Sequence, residues 1–153
     1  MSKSVYYVVV FLLLGLFVGI APARATSSPE AIGHIKKLEG SVKILRASKT
    51  VDAKLGDEIF MNDTLKSGTG AAMGVTFKDD TRVALGPDTE FVVDDFVYQP
   101  QKNKLSFGSR ITKGTLQVIS GTIAKLSPQS VKLETPTGTI GVRGTRFLVK
   151  VGK

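Results

Sequence analysis

Beyond residue 30 the chain sustains neither a long apolar run nor a helical period. It breaks into short stretches of alternating apolar and polar residues, with turn residues between them roughly every 8–12 positions. Alternation sends every second side chain to one face, the period of a half-buried strand. The stretch "SVKILRA" (Ser41–Ala47) reads this way, and "GVTFKDDTRVAL" (Gly74–Leu85) reads as a hairpin. In the latter Val75 and Phe77 share a face, Lys78–Thr81 form a polar tip, and Val83 and Leu85 resume the pattern. "GPD" at Gly86–Asp88 predicts a turn made by Gly86 and Pro87, and "EFVVDDFVY" (Glu90–Tyr98) a longer strand. "QPQKN" then breaks the pattern before Leu105 and Phe107 resume it. At the end Phe147, Val149 and Val151 alternate with Arg146, Leu148 and Lys150, a last strand buried on one side.

These signals define an all-β single domain of short strands, either β-solenoid-like or a rolled two-layer sheet. A weak echo favours stacked strand-corner units. "DTLKSGT", "GTLQVISGT" and "GTIGVRGT" each place apolar residues before a Gly-Thr corner, at irregular spacing.

The N-terminus follows a different grammar. Lys3 precedes the apolar run "VYYVVVFLLLGLFVGI" (Val5–Ile20), and Pro22 and "ARA" follow, with Ala23 and Ala25 at the small-residue positions of a signal-peptidase site. Residues 1–25 are therefore expected to be a signal peptide cleaved after Ala25. An uncleaved anchor is the alternative, since Ser4–Ala23 carries no charge and is long enough to span a bilayer. Either way the remainder is delivered across a membrane, into the periplasm or outside the cell. Residues 26–31, opening with "TSSPE", read as a flexible lead-in, and residues 32–153 as the folded domain.

Cleavage leaves 128 of the 153 residues, enough to bury roughly two-thirds of the unfolded surface without a staple. The chain has no cysteine, a choice that suits a bacterial envelope protein better than a small disulfide-bonded secreted domain. Its formal charge of +8 falls to +6 when Lys3 and Arg24 leave with the signal. That excess favours anionic surfaces, which outside the cytoplasm are lipid headgroups, polysaccharide or acidic proteins rather than nucleic acid. Ordinary solubility charge accounts for it equally well.

Catalytic candidates are few. His34 is the only histidine and there is no cysteine, which excludes Cys/His chemistry and multi-histidine metal sites. No G-x-S-x-G elbow appears, and His34 reads as a surface strand residue. The carboxylates cluster as Asp57–Glu58, Asp79–Asp80, Asp88 with Glu90, and Asp94–Asp95, all expected at turns and exposed strand edges. A paired-carboxylate hydrolase needs two of them across one cleft. Calcium at Asp79, Asp80, Asp88 or Glu90 would suit the oxygen ligands, but no loop spacing supports it. "NDT" at Asn62–Thr64 matches a glycosylation acceptor and reads here as a turn. Neither catalytic, cofactor nor metal residues are assigned.

The densest motif is "TPTGTIGVRGTRF" (residues 135–147). A phosphate-binding glycine loop needs a helix after it, and here "RFLVKV" reads as a strand. Gly138, Gly141 and Gly144 instead suit corners. Arg143, between Val142 and Gly144, can hold carbonyls or a carboxylate with its planar fork, or else meet a partner.

Together, "GSVKILR", "AKLGDEIFMNDTLKSGTGAAMGVTFKDDTRVALGPDTEFVVDDF", "ITKGTLQV" and "VKLETPTGTIGVRGTRFLV" resemble the FecR domain family in order and spacing, from about Gly40 to Val149. The resemblance implies an exported all-β domain without known catalytic residues or cofactor. The best understood members resemble periplasmic sensor arms that link an outer-membrane siderophore transporter to a cytoplasmic sigma factor. Here about four residues precede the hydrophobic segment and only "GK" follows the last strand. Neither the sigma-binding nor the transporter-docking domain is therefore expected. What carries over is the fold and a binding role. Its partner would be another envelope protein or a polysaccharide, with the membrane met only through an uncleaved N-terminal segment. The resemblance makes Gly86, Pro87, Arg143, Gly144, Thr145 and Phe147 the structural or interaction motif, with Arg143 and Thr145 holding the closing corner.

Overall fold

The computed structural model describes residues 28–142, 144 and 146–152, and there the alternating stretches become twelve strands. In chain order these are β1 (Ala31–Glu39), β2 (Val42–Arg46), β3 (Lys49–Asp52), β4 (Glu58–Phe60), β5 (Thr64–Ser67) and β6 (Ala72–Phe77). They continue as β7 (Arg82–Leu85), β8 (Glu90–Gln99), β9 (Lys104–Ile119), β10 (Val131–Thr135), β11 (Gly138–Gly141) and β12 (Arg146–Val151). One short helix, α1 (Thr122–Leu126), follows β9. Ala23, Ala25, Arg143 and Thr145 lie outside the described residues.

All twelve strands belong to one curled sheet in the form of a half-barrel. The 16-residue β9 makes this possible because its two ends have different neighbours. Its first part pairs with β8 and, in parallel, with β10; its last residues pair with β7 and β12. The sheet therefore has a half ordered β4–β1–β6–β7–β9–β12 and a half ordered β3–β2–β5–β8–β9–β10–β11. Gly114 marks the change of neighbours at a φ of 93°, and a Cβ there would stand 2.4 Å from the Thr89 Cα. Only glycine accepts both the left-handed backbone and that approach.

Of the two architectures expected, this is the rolled sheet and not the solenoid. The three Gly-Thr echoes fall in β5, β9 and β11, and no two of these strands pair with each other. Their similarity reflects a shared local need, a strand ending in a corner.

Alternation translates directly into burial. β6 buries Met73, Val75 and Phe77, and β7 buries Val83 and Leu85, while their intervening residues face out. From the β8 half come Ile44, Leu65, Phe91, Val93, Phe107 and Ile111. Phe77 of one half meets Phe96 and Phe107 of the other at ring-centroid distances of 6.1 and 5.2 Å, the second edge-on. Such contacts add to the roughly 1.5–3 kcal/mol gained by burying each large apolar side chain. They fix how tightly the halves close.

The predicted Lys78–Thr81 tip does join β6 to β7. β12 buries Phe147, Val149 and Val151 partly and exposes Arg146, Leu148 and Lys150 as expected. β3 had no counterpart in the sequence reading. Its hairpin with β2 turns on Ala47 and Ser48, with φ of 44° and 69°. Two consecutive left-handed residues are what a two-residue hairpin requires, but Ala-Ser is not a recognisable signal for it.

Candidate functional site

Gly86 and Pro87 build the corner where the halves join. The Gly86 N–H donates to the Thr115 carbonyl at 2.9 Å, and the Gly86 carbonyl accepts from the Ser67 hydroxyl at 2.6 Å. The Thr89 hydroxyl donates to the carbonyls of Pro87 and Thr115 and accepts the Thr115 N–H at 2.9 Å. Ser67 in turn accepts the Thr89 N–H at 2.9 Å. These buried polar groups satisfy one another, which makes the corner structural.

The signature segment divides into three parts. β11 turns back on β10, so that Thr139 lies opposite Glu134 and Ile140 opposite Leu133. Val142 is buried and its N–H reaches the Val131 carbonyl at 3.4 Å. The Gly144 carbonyl accepts from the Ser120 hydroxyl at 2.7 Å. Phe147 lies opposite Val118 of β9 and packs against the core. The neighbours of Arg143 are thus anchored on both sides.

β11 is the functional candidate within this segment. Among the described residues it pairs only with β10, and all four of its residues are exposed. Sheet edges are usually guarded by charge, shortness or proline. Here β3 ends in Lys49 and Asp52, β4 has only three residues and carries Glu58, and β12 alternates Arg146 and Lys150 with apolar residues. β11, "GTIG", is as short as β3 but carries neither charge nor proline. Beside it lies an open groove of about 820 Å³ lined by Pro128, Gln129, Val131, Lys132, Glu134, Thr139, Gly141 and Val142. An unpaired row of backbone donors and acceptors next to a mixed apolar and polar groove can receive an extended segment.

The carboxylates do not all lie at exposed turns and strand edges. Asp79 is fully buried rather than at an exposed tip. Its side chain folds back onto its own turn, accepting from the Thr81 N–H at 3.1 Å and the Thr81 hydroxyl at 2.7 Å, and it also accepts the Ile123 N–H of α1 at 3.3 Å. Gly121 packs so closely on this turn that a Cβ would lie 2.2 Å from the Asp79 carbonyl oxygen. The carboxylate therefore ties the β6–β7 turn to α1. Asp80 stays exposed on the same turn, whereas Asp88 and Glu90 lie beyond the far end of β7, so the four do not converge. Asp94 pairs instead with Arg110 at 3.0 Å, and Arg110 also reaches Glu134 at 2.9 Å. These two carboxylates hold the Arg110 guanidinium above its ordinary pKa, the Glu134 hydrogen bond most of all. Among the described residues no group of three or more acidic or histidine side chains is arranged to hold a metal. His34 is half-buried on β1 opposite Glu58.

Asp63, which the sequence places in a turn, is a second buried acid. Arg46 grips it with a fork, Nε to Oδ1 at 2.8 Å and Nη2 to Oδ2 at 2.7 Å, and Asp63 also accepts the Phe60 N–H at 2.9 Å. The guanidinium lies 4.4 Å from the centre of the Phe60 ring. The hydrogen bond to Asp63 raises its pKa, against the opposing effect of burial. Sequence spacing does not join Arg46 on β2 to Asp63 in the turn before β5, since β2 and β5 meet only in the folded sheet.

An all-β half-barrel whose halves join at the Gly86–Pro87 corner defines the class of domain. The family model described as "FecR protein" matches residues 63–153, more than half of the chain, and the chain belongs to the FecR family. The match begins at Asp63 and takes in both the Gly86–Pro87 corner and the β10–β12 segment. Neither curated proteins nor solved structures yield a match. Family membership fits a signalling-related role in the envelope and is compatible with a periplasmic location. Among the described residues no helix is long and apolar enough to cross a membrane.

Proposed function

We propose that the chain is an exported, non-catalytic binding module of the bacterial cell envelope, periplasmic or secreted, in which β11 receives an extended segment of another envelope protein. The observation that carries this reading is the unguarded β11 edge beside its groove. A strand added to a four-residue edge forms only a few backbone hydrogen bonds, each worth about 1 kcal/mol net. Affinity and selectivity then come from side chains entering the groove, where Val131 and Val142 offer apolar contact and Lys132 and Glu134 offer charge. Export rests on the charged start, apolar run and Ala23–Ala25 pattern, with the mature chain opening at Thr26.

The test is a crosslinking pull-down from the protein's own envelope at low and high salt, comparing wild type with Thr139→Lys/Ile140→Lys. Both positions are exposed, Ile140 at 38% beside buried Leu133, so the variant guards the edge and its urea midpoint is measured alongside to show that it stays folded. A defined envelope protein captured by wild type and lost with the variant supports the reading. Recovery of the chain alone, or of polysaccharide, by both proteins moves the assignment to a structural envelope component. The N-terminal residue of the recovered protein decides between cleavage after Ala25 and an intact anchor.

A further inference from the structure

The two outer faces of the sheet differ in how their charges are arranged. On the β8 half the cations near the middle of the sheet are matched: Lys43 lies 4.0 Å from Asp52, Lys66 3.2 Å from Glu90, and Arg110 pairs with both Asp94 and Glu134, while Lys49, Lys104, Lys113 and Lys132 form no ion pair among the described residues. On the β6 half the cations of the central strands have no such partners. Register places Thr76, Arg82, Ile119 and Arg146 in one outward row across β6, β7, β9 and β12. The next outward row holds Gly74, Ala84, Gln117 and Leu148, and Lys150 follows opposite Thr115. Lys36 borders a shallow hollow of about 180 Å³ among Gly74, Thr76, Arg82, Ala84, Gln117 and Ile119. Among the described residues Lys36, Arg82, Arg146 and Lys150 form no ion pair; Glu39 and Glu58 sit toward the β1 and β4 margin, and Asp80 on the β6–β7 turn lies at the end of the sheet near Arg82 without pairing with it.

We propose that this face docks onto an anionic lipid surface, with Leu148 entering the headgroup layer. The contact is separate from the β11 edge and goes beyond the N-terminal segment as the route to the membrane. Arg82 and Arg146 stand two strands apart, about 10 Å, and Lys150 lies four residues from Arg146 along β12, about 13 Å. A plane of cations on a rigid sheet matches a plane of lipid phosphates better than it matches one linear polyanion. Leu148 is 65% exposed between Arg146 and Lys150. An apolar tip flanked by cations gains free energy at a bilayer interface and gains nothing from a hydrated acidic polymer. The outward rows also hold no aromatic ring on which a sugar could stack.

Because the chain has no cysteine, a single Leu148→Cys can carry an environment-sensitive fluorophore in the full-length protein. A matched label at Val51→Cys, on the β3 edge, serves as the control. The apolar N-terminal run responds to any vesicle, so phosphatidylglycerol-containing and pure phosphatidylcholine vesicles are compared. The expected result is a blue shift at position 148 with the anionic vesicles alone, reversed by about 0.5 M salt, where the screening length falls to a few ångströms. Position 51 should not respond. Arg82→Glu/Arg146→Glu should weaken the response by at least about 10-fold, with Lys150→Glu as a second variant should the first not fold. No shift, or an equal shift with neutral vesicles, overturns the proposal. So does a response to polyglutamate or polygalacturonate without one to vesicles, which would assign the face to an acidic polymer.

Discussion

Replacing Arg46 with methionine removes the fork from Asp63, whose side chain is only 1% exposed, and leaves the carboxylate with the Phe60 N–H alone. Breaking a buried ion pair from one side costs about 3–5 kcal/mol. The Arg46 side chain is 41% exposed, so the pair is partly solvated and the lower end, about 3 kcal/mol, is expected. The reverse change, Asp63→Leu, should cost less. Arg46 keeps its Nη2 bond to the Glu58 carbonyl at 2.9 Å and turns its freed donors to water, and the main loss is the acceptor of the Phe60 N–H, about 1–3 kcal/mol. The double variant should cost less than the sum, with a coupling of at least about 1.5 kcal/mol. Urea unfolding followed by far-UV circular dichroism measures all three, since the chain has no tryptophan to report by fluorescence. The raised pKa of Arg46 stabilises the fold fully below the unfolded value and ceases to do so only as pH rises through the still higher folded value. Its titration should therefore leave the urea midpoint unchanged between about pH 6 and 9. Additive single costs, or a loss below about 1 kcal/mol for Arg46→Met, would refute the clamp.

Gly121→Ala should destabilise by about 3 kcal/mol, because the new Cβ meets backbone at 2.2 Å rather than a movable side chain; a midpoint within error of wild type in urea would contradict the packing of α1 on the β6–β7 turn. The Lys78 amine, hydrogen-bonded to Glu30 at 2.5 Å, holds the Glu30 carboxyl below its ordinary value. That depression adds a small stability present above the unfolded pKa and lost as pH falls through the folded one. An NMR titration of Glu30 should move to the ordinary carboxylate range in Lys78→Met, and an unchanged titration would remove Lys78 as the cause. Arg143→Ala should cost about 1–3 kcal/mol if its fork is buried within the fold. A wild-type thermal midpoint for Arg143→Ala would instead assign that residue to partner contact.

Much of the strand content was legible because its causes are local. Alternation over Gly74–Leu85 and Phe147–Val151 encodes faces, and a polar Lys78–Thr81 tip encodes a reversal. The turn at Gly86–Asp88 was legible for the same reason. Proximity along the chain did not reveal the hairpin at Ala47–Ser48, where tertiary pairing overrides a weak turn preference. Nor did it reveal that Asp63 and Asp79 are buried, because a polar residue reads as exposed until the groups that satisfy it are located. For Asp63 the fork comes from Arg46, on a strand that meets it only in the sheet, and for Asp79 a partner is the backbone of α1.

By itself the sequence determined an all-β chain of the FecR family with its strands, corners and signature segment. The tertiary structure alone decided which edges remain open and which charges remain unmatched. β11 is unguarded because β10 takes one side of it and, among the described residues, no strand takes the other. Arg82 and Arg146 share a row because β9 lies between β7 and β12. Period and turn chemistry act over a few residues. Pairing and charge matching are set by residues dozens of positions apart, and only the closing of the core brings those together.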